Sequence, residues 1–148
     1  TAADRLLEGR HNMCQVFTVD NLKYLKKGGR ISNLKAAVGT VLQIKPLLKG
    51  DPEGKIVCFA QVRGRKKSIE LMAEQYDRYV EHAECETIGV AHGDCPEDAE
   101  ALIALLNRNH PPKNIINACY EPMTGAHVGP GALALFFYGK KEFRQATK

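Results

Sequence analysis

The sequence predicts an α/β domain: a two-layer sandwich with a mixed sheet of about six strands and helices mainly on one face. Three observations carry this. The chain has 148 residues, 44% of them apolar, enough for one compact core and too few for two ordinary domains. β-rich and helical segments follow one another in the order βααββαβαβ, which suits a layered α/β unit. The helical segments are apolar on one side only, as helices laid on a sheet must be.

The elements follow in order. "TAADRLLEGRH" (Thr1 to His11) reads as the tail of a helix already under way, so the chain is expected to be the second part of something longer. Met13 to Val19, "MCQVFTV", is a short β-rich run. In "DNLKYLKKGG", Asp20 is the N-cap candidate, and Gly28 with Gly29 supplies a left-handed stop. Apolar residues at Leu34, Ala37, Val38, Val41 and Leu42 recur at helical spacing from Ser32 to Gln43, despite Gly39. "IKPLLKG" and "GKIVCFAQVR" flank the turn "DPEG" and read as a hairpin.

Lys66 to Ala83 is the clearest helix, with Ile69, Met72, Ala73, Tyr76, Tyr79, Val80 and Ala83 on one face. "ETIGVAH" is a strand. "GDCPEDAEALIALLNRNH" is a second amphipathic helix, with Pro96 near its first turn and acids beside it. "NIINACY" and "GALALFF" complete the strands. No repeat, low-complexity segment or internal linker interrupts them.

Composition narrows the function. The net charge of +4 is too small for a nucleic-acid stripe, and no basic-aromatic interleaving offers bases a stacking platform. The run "RGRKK" (Arg63 to Lys67) does offer a basic surface to an acidic partner. Five scattered cysteines suit buried thiols in a reducing cytoplasm better than a disulfide framework. No signal peptide or membrane-length apolar run is present, so a cytoplasmic chain without stable membrane insertion is expected.

Several residue groups invite chemistry. His82, Cys85, His92 and Cys95 have the spacing of a zinc site, but a strand over Thr87 to Ala91 would separate the pairs by roughly 15 Å at about 3.3 Å per residue. Zinc holds its ligands about 2.0 to 2.3 Å from one centre, so no metal site is expected. A Cys119 and His127 nucleophilic pair needs an exposed thiol, and Cys119 lies in an apolar strand where burial is expected. "GAHVGPG" (Gly125 to Gly131) lacks the Lys and Ser or Thr of a P-loop, and it precedes a strand instead of opening a helix.

A second glycine-rich stretch, "KKGGRIS" (Lys26 to Ser32), carries Arg30. Arg30 and His127 are both able to donate to an anionic oxygen. The small and branched residues downstream would either pack the core, which physics alone favours, or leave an apolar slot. An anionic head on an apolar body describes a fatty acid.

The segments "FTVDNLKYLKKGGRIS", "VLQIKPLLKGDPEGKI", "VRGRKK", "HGDCPEDAE" and "GAHVGPGALALFFYG", in this order and over nearly the whole chain, resemble the C-terminal domain of the DegV family of bacterial fatty-acid-binding proteins. The resemblance implies that residues 1–148 form a single lipid-binding domain whose N-terminal partner domain, a Rossmann-like unit supplying Ser and Thr hydroxyls, is missing in cis. It implies a carrier, not an enzyme, that needs no cofactor and presents a long-chain fatty acid to a separate fatty acid kinase for acyl-phosphate formation. Arg30 and His127 would join the carboxylate network, with Ile31, Ala37, Val38, Val41, Leu42 and Gly129 around the ligand. Arg63, Arg65 and Lys66 would dock the kinase. Without its partner domain the chain is expected to bind lipid weakly, because burial contributes about 0.8 kcal/mol per CH₂ only when both walls exist. The alternatives are a dihydroxyacetone-kinase-like small-molecule domain, which would favour a polar pocket around His127, and a module that only docks a protein.

Overall fold

The computed structural model describes residues 1–29 and 43–145. Arg30, Ile31, Ala37, Val38, Val41 and Leu42, and with them all but the last residue of the helix expected over 32–43, lie outside the described residues.

The chain opens with α1 (Ala2–Gly9), capped by reciprocal hydrogen bonds between Thr1 and Asp4. Strand β1 (Met13–Thr18) leads into α2 (Leu22–Lys27). The cap of α2 is Asn21, whose Oδ1 accepts from the Lys23 N–H at 2.9 Å. Asp20, the expected cap, instead turns its carboxylate to Lys45 and Arg65. Gly29 takes the left-handed conformation after the helix, with φ +69°.

The expected hairpin forms from β2 (Ile44–Gly50) and β3 (Ile56–Arg63). Next comes α3 (Arg65–Tyr79), which stops four residues short of the expected end. Val80 is extended and bridges Gly139, and Ala83–Cys85 forms a separate 3₁₀ turn after the left-handed His82. Pairing with the sheet margin has overridden a helical pattern that continues in sequence.

Strand β4 (Thr87–His92) is followed by α4 (Pro96–Asn109), which starts on Pro96 and has Glu97 and Asp98 in its first turn. There the missing proline N–H costs nothing and the acids face the positive helix end. Strand β5 (Asn114–Cys119), helix α5 (Pro122–Val128), strand β6 (Leu133–Tyr138) and helix α6 (Glu142–Gln145) complete the chain.

The six strands form one mixed sheet in the order β3-β2-β1-β6-β4-β5. Every neighbouring pair is antiparallel except β4 and β5, which run parallel through the α4 crossover. One face carries the larger core: Val16, Leu133, Leu135 and Phe137 pack against Met72 and Tyr76 of α3 and Leu102 and Leu106 of α4. Each fully buried side chain of this size contributes about 1.5 to 3 kcal/mol. Side-chain alternation sends Phe17, Leu48, Ala134 and Phe136 to the other face. That face is covered in part, by Leu25 of α2 and Val128 of α5. The two long helices therefore share one face, and two short ones cover part of the second.

Strand β5 departs from expectation. It is the sheet's edge and is mostly exposed, with Ile116 62% accessible and Cys119 open to solvent. An apolar run implies burial only if something packs on both faces. Here Ile115 meets the α4 side of the core, while Ile116 faces outward.

Candidate functional site

The segment after β1 and the segment before β6 lie against each other on the second face. A Cβ placed on Gly131 would stand 2.5 Å from Asp20 Oδ2, one on Gly129 2.4 Å from the Tyr24 ring, and one on Gly28 2.6 Å from His127 Nδ1. Residue 20 just before α2, residue 24 within it and its C-cap residue 28 thus meet residues 131, 129 and 127 in reverse order. Each contact has a glycine on one side, where any added Cβ would force the facing group to move. Gly129 and Gly131 also have φ of +78° and +77°, which L side chains rarely adopt.

His127 is carried on α5, a helix the sequence reading passes over. The stretch beginning at Gly125 closes this helix before entering the strand. Its signals are local: Pro122 at the first turn and Glu121 as cap. Hydrogen bonds from the Thr124 hydroxyl and N–H hold the Glu121 carboxyl below its usual range. Seven residues are too few for a periodic apolar stripe to stand out.

The loop behind His127 is stitched to the corner between β4 and α4, within the motif "HGDCPEDAE". The Gly93 N–H donates to the Ala132 carbonyl at 2.7 Å, and the Gly131 N–H donates to the Gly93 carbonyl at 2.7 Å. The Cys95 thiol donates to the Ala132 carbonyl at 3.3 Å. Burial pushes the Cys95 thiol up, although the Arg65 guanidinium pulls the other way, so it behaves as a structural thiol and not as a nucleophile. Tyr120, against the same small core, has its hydroxyl pushed up to about 12 by burial.

Behind the loop is a charged hub. Lys45 Nζ lies 2.6 Å from Asp20 Oδ1, and Arg65 reaches the same carboxylate at 3.7 Å. The Arg65 Nε–H donates to Asp98 at 2.8 Å. Arg65 is therefore turned inward, with a side-chain exposure of 20%. Its neighbours Arg63 and Lys66 are exposed.

At the far end of the same face, between α1 and strands β1 and β6, lies a groove of about 500 Å³. Leu6, Met13, Phe136 and Tyr138 line it, and Arg5, Arg10 and Arg144 reach its rim. Ala134, packed with Val128, and Phe136, which lines the groove, are successive residues on one face of β6. From Ala134 to Tyr138 the strand covers roughly 13 Å at about 3.3 Å per residue. A half-buried imidazole at one end and an apolar groove at the other can serve a long molecule with an anionic head.

Of the residues read from sequence, His127 and Gly129 lie in this site, with Gly28 and Gly29 alongside. Cys119 stands exposed at the end of β5. His82 and Cys85 precede β4, while His92 is its last residue and Cys95 follows its far end. Among the described residues no group of three or more His, Cys, Asp or Glu is placed to hold a metal, and no helix is long and apolar enough to cross a membrane. Sequence reasoning missed Tyr24 and Gly93, whose importance lies in tertiary contact.

The family model described as "Uncharacterised protein, DegV family" matches residues 1–140. A DegV domain-containing protein of Clostridium perfringens is 40% identical over 132 residues, 89% of this chain and 45% of that protein. One from Staphylococcus aureus is 35% identical over 139 residues, 93% of this chain and 48% of its own length. The chain thus spans about half the length of the curated relatives it matches. Among solved structures, a fatty acid binding DegV family protein from Streptococcus agalactiae aligns with TM-score 0.81 and 30% identity, covering 93% of this chain and 48% of that one. DegV of Bacillus subtilis, described as a fatty acid binding protein, aligns with TM-score 0.74 and 31% identity over the same shares.

Proposed function

The chain belongs to the DegV family, and from that premise we propose that it is the lipid-binding, C-terminal domain of a two-domain carrier for a long-chain fatty acid. The observation that carries this reading is the seating of His127 against Gly28, at one end of a sheet face whose other end opens into an apolar groove. The fatty-acid-binding relatives of known structure at 30% and 31% identity support it.

In this reading His127 donates to the carboxylate, with Arg30 as its partner in the network, and Gly129 lets the loop approach the head group. Ile31, Ala37, Val38, Val41 and Leu42 contribute to the acyl wall together with the described groove. Affinity then comes from apolar burial, at about 0.8 kcal/mol per CH₂, and orientation from the polar end. No step here calls for a nucleophile, a metal or a cofactor, so the domain binds and presents but does not itself react. A partner fatty acid kinase would act on the presented carboxylate, docking on the basic run through Arg63 and Lys66. The five free cysteines suit a reducing cytoplasm.

Native mass spectrometry of the complete two-domain protein, with extraction and identification of what it carries, tests the proposal. A co-purifying long-chain fatty acid, lost or reduced in His127→Gln, is expected. A protein that neither carries nor takes up palmitate would overturn it. For the docking surface, Arg63→Glu with Lys66→Glu should lower kinase turnover while the lipid stays bound, and unchanged turnover would remove that assignment.

A further inference from the structure

We propose that Arg65 is a positioning residue that fixes the placement of His127 from behind, acting through Asp20. Its guanidinium joins three segments distant in sequence. It meets Asp20 at the exit of β1 at 3.7 Å, Asp98 in the first turn of α4 at 2.8 Å, and the Cys95 sulfur at 3.6 Å. Lys45, from the start of β2, closes on the same Asp20 at 2.6 Å.

Asp20 is also the first residue of the row 20, 24, 28 that meets 131, 129, 127. Its carboxylate sits over Gly131, the Tyr24 ring over Gly129, and Gly28 under the His127 imidazole. Asp20 precedes the Asn21 cap of α2 (Leu22–Lys27), so a shift at Asp20 bears on the start of the helix whose far end places Gly28. The other side of the row is held by the same cation, because Cys95, in contact with Arg65, bonds the Ala132 carbonyl beside Gly131. Arg65 thus grips both strips of the contact at the end opposite His127.

The chemistry suits Arg and not Lys. A planar fork aims separate N–H groups at Asp98 and the Cys95 sulfur while its charge faces Asp20 at 3.7 Å, whereas an ammonium offers one point of charge. At 20% exposure, Arg65 is also ill placed to meet a partner, unlike exposed Arg63 and Lys66. Burying a guanidinium this far is costly unless paired, and here both partners belong to segments that frame the site. The consequence for lipid rests on the reading of His127 as carboxylate donor, but the placement of the ring does not.

The test follows the His127 ring cross-peak by NMR in the complete, lipid-free protein, assigned by its disappearance in His127→Gln. Arg65→Gln should displace it, Arg65→Lys should return it only in part, and Arg108→Gln, at an exposed position on α4, should leave it in place. Palmitate affinity should fall roughly tenfold in Arg65→Gln, the size of effect carried by coupled residues that touch no ligand. A folded Arg65→Gln whose ring signal stays at the parent position overturns the proposal, whatever its melting temperature. If Arg65→Gln does not fold, Asp20→Asn cuts the same link from the other side with little change in volume, and an unmoved signal there is equally decisive. A parent protein that takes no palmitate would sink the carrier reading and leave the ring result standing.

Discussion

Gly54 and Gly131 share a backbone conformation, with φ of +79° and +77°, but a Cβ on Gly54 meets nothing within 4 Å while one on Gly131 meets the Asp20 carboxylate at 2.5 Å. The pair separates two costs normally measured together. Gly54→Ala should cost about 1 kcal/mol for the left-handed backbone alone. Gly131→Ala should add roughly 1 to 3 kcal/mol for the forced displacement of Asp20. Urea unfolding of the two variants would show it, and equal losses would mean that Asp20 moves aside freely. Residue identities alone announce that "GAHVGPG" permits a close approach, but not what approaches. The neighbours Asp20 and Asn21 make the same point: both are good caps, and only Lys45 and Arg65, remote in sequence, draw Asp20 away and leave the cap to Asn21.

At the scale of elements, α6 is held to the sheet by a buried cation. Lys49 of β2 is 2% exposed, lies 5.5 and 5.1 Å from the ring centroids of Phe59 and Phe143, and donates to the Phe143 carbonyl. Burial pushes its pKa below the ordinary lysine value of 10.5. Between the lowered value and 10.5, the unfolded chain holds a proton that the native state does not, so stability gained from this site rises with pH across that window. Below the window the native state bears the full cost of a buried charge. Compared with Lys49→Met, the parent should therefore gain stability as pH rises through this range, with no such trend between the two at neutral pH. Urea midpoints across the alkaline range would check it, and parallel curves would refute it. The periodicity of α3 and α4 was legible because each runs for at least three turns. The short helix α5 and the exposed side of β5 were not, since one depends on a local cap and the other on what fails to cover it.

For the molecule as a whole, fold class followed from alternating periods and one-sided helices, but strand order did not. Nothing in "GALALFF" distinguishes a central strand from an edge one, and "NIINACY", which is as apolar to the eye, lies at the margin. What separates them is the company each keeps: β6 is flanked by β1 and β4, while among the described residues β5 has a neighbour on one side only. The site inherits this dependence, because His127 owes its position to α2, which follows the first strand, and to a loop that precedes the last one.

The central place of β6 also bears on the timing of synthesis. Strands β1, β2 and β3 pair among themselves, as do β4 and β5, but among the described residues only β6 joins the two groups. A nascent chain not yet extended to β6 would hold at most two half-sheets with the place between them unfilled. Nascent chains arrested before Leu133 should remain sensitive to protease, and resistance should appear once Tyr138 has cleared the exit tunnel. Until then the apolar edges of both halves are exposed to other chains, so β6 is also the strand that ends the period of greatest aggregation risk for this sheet.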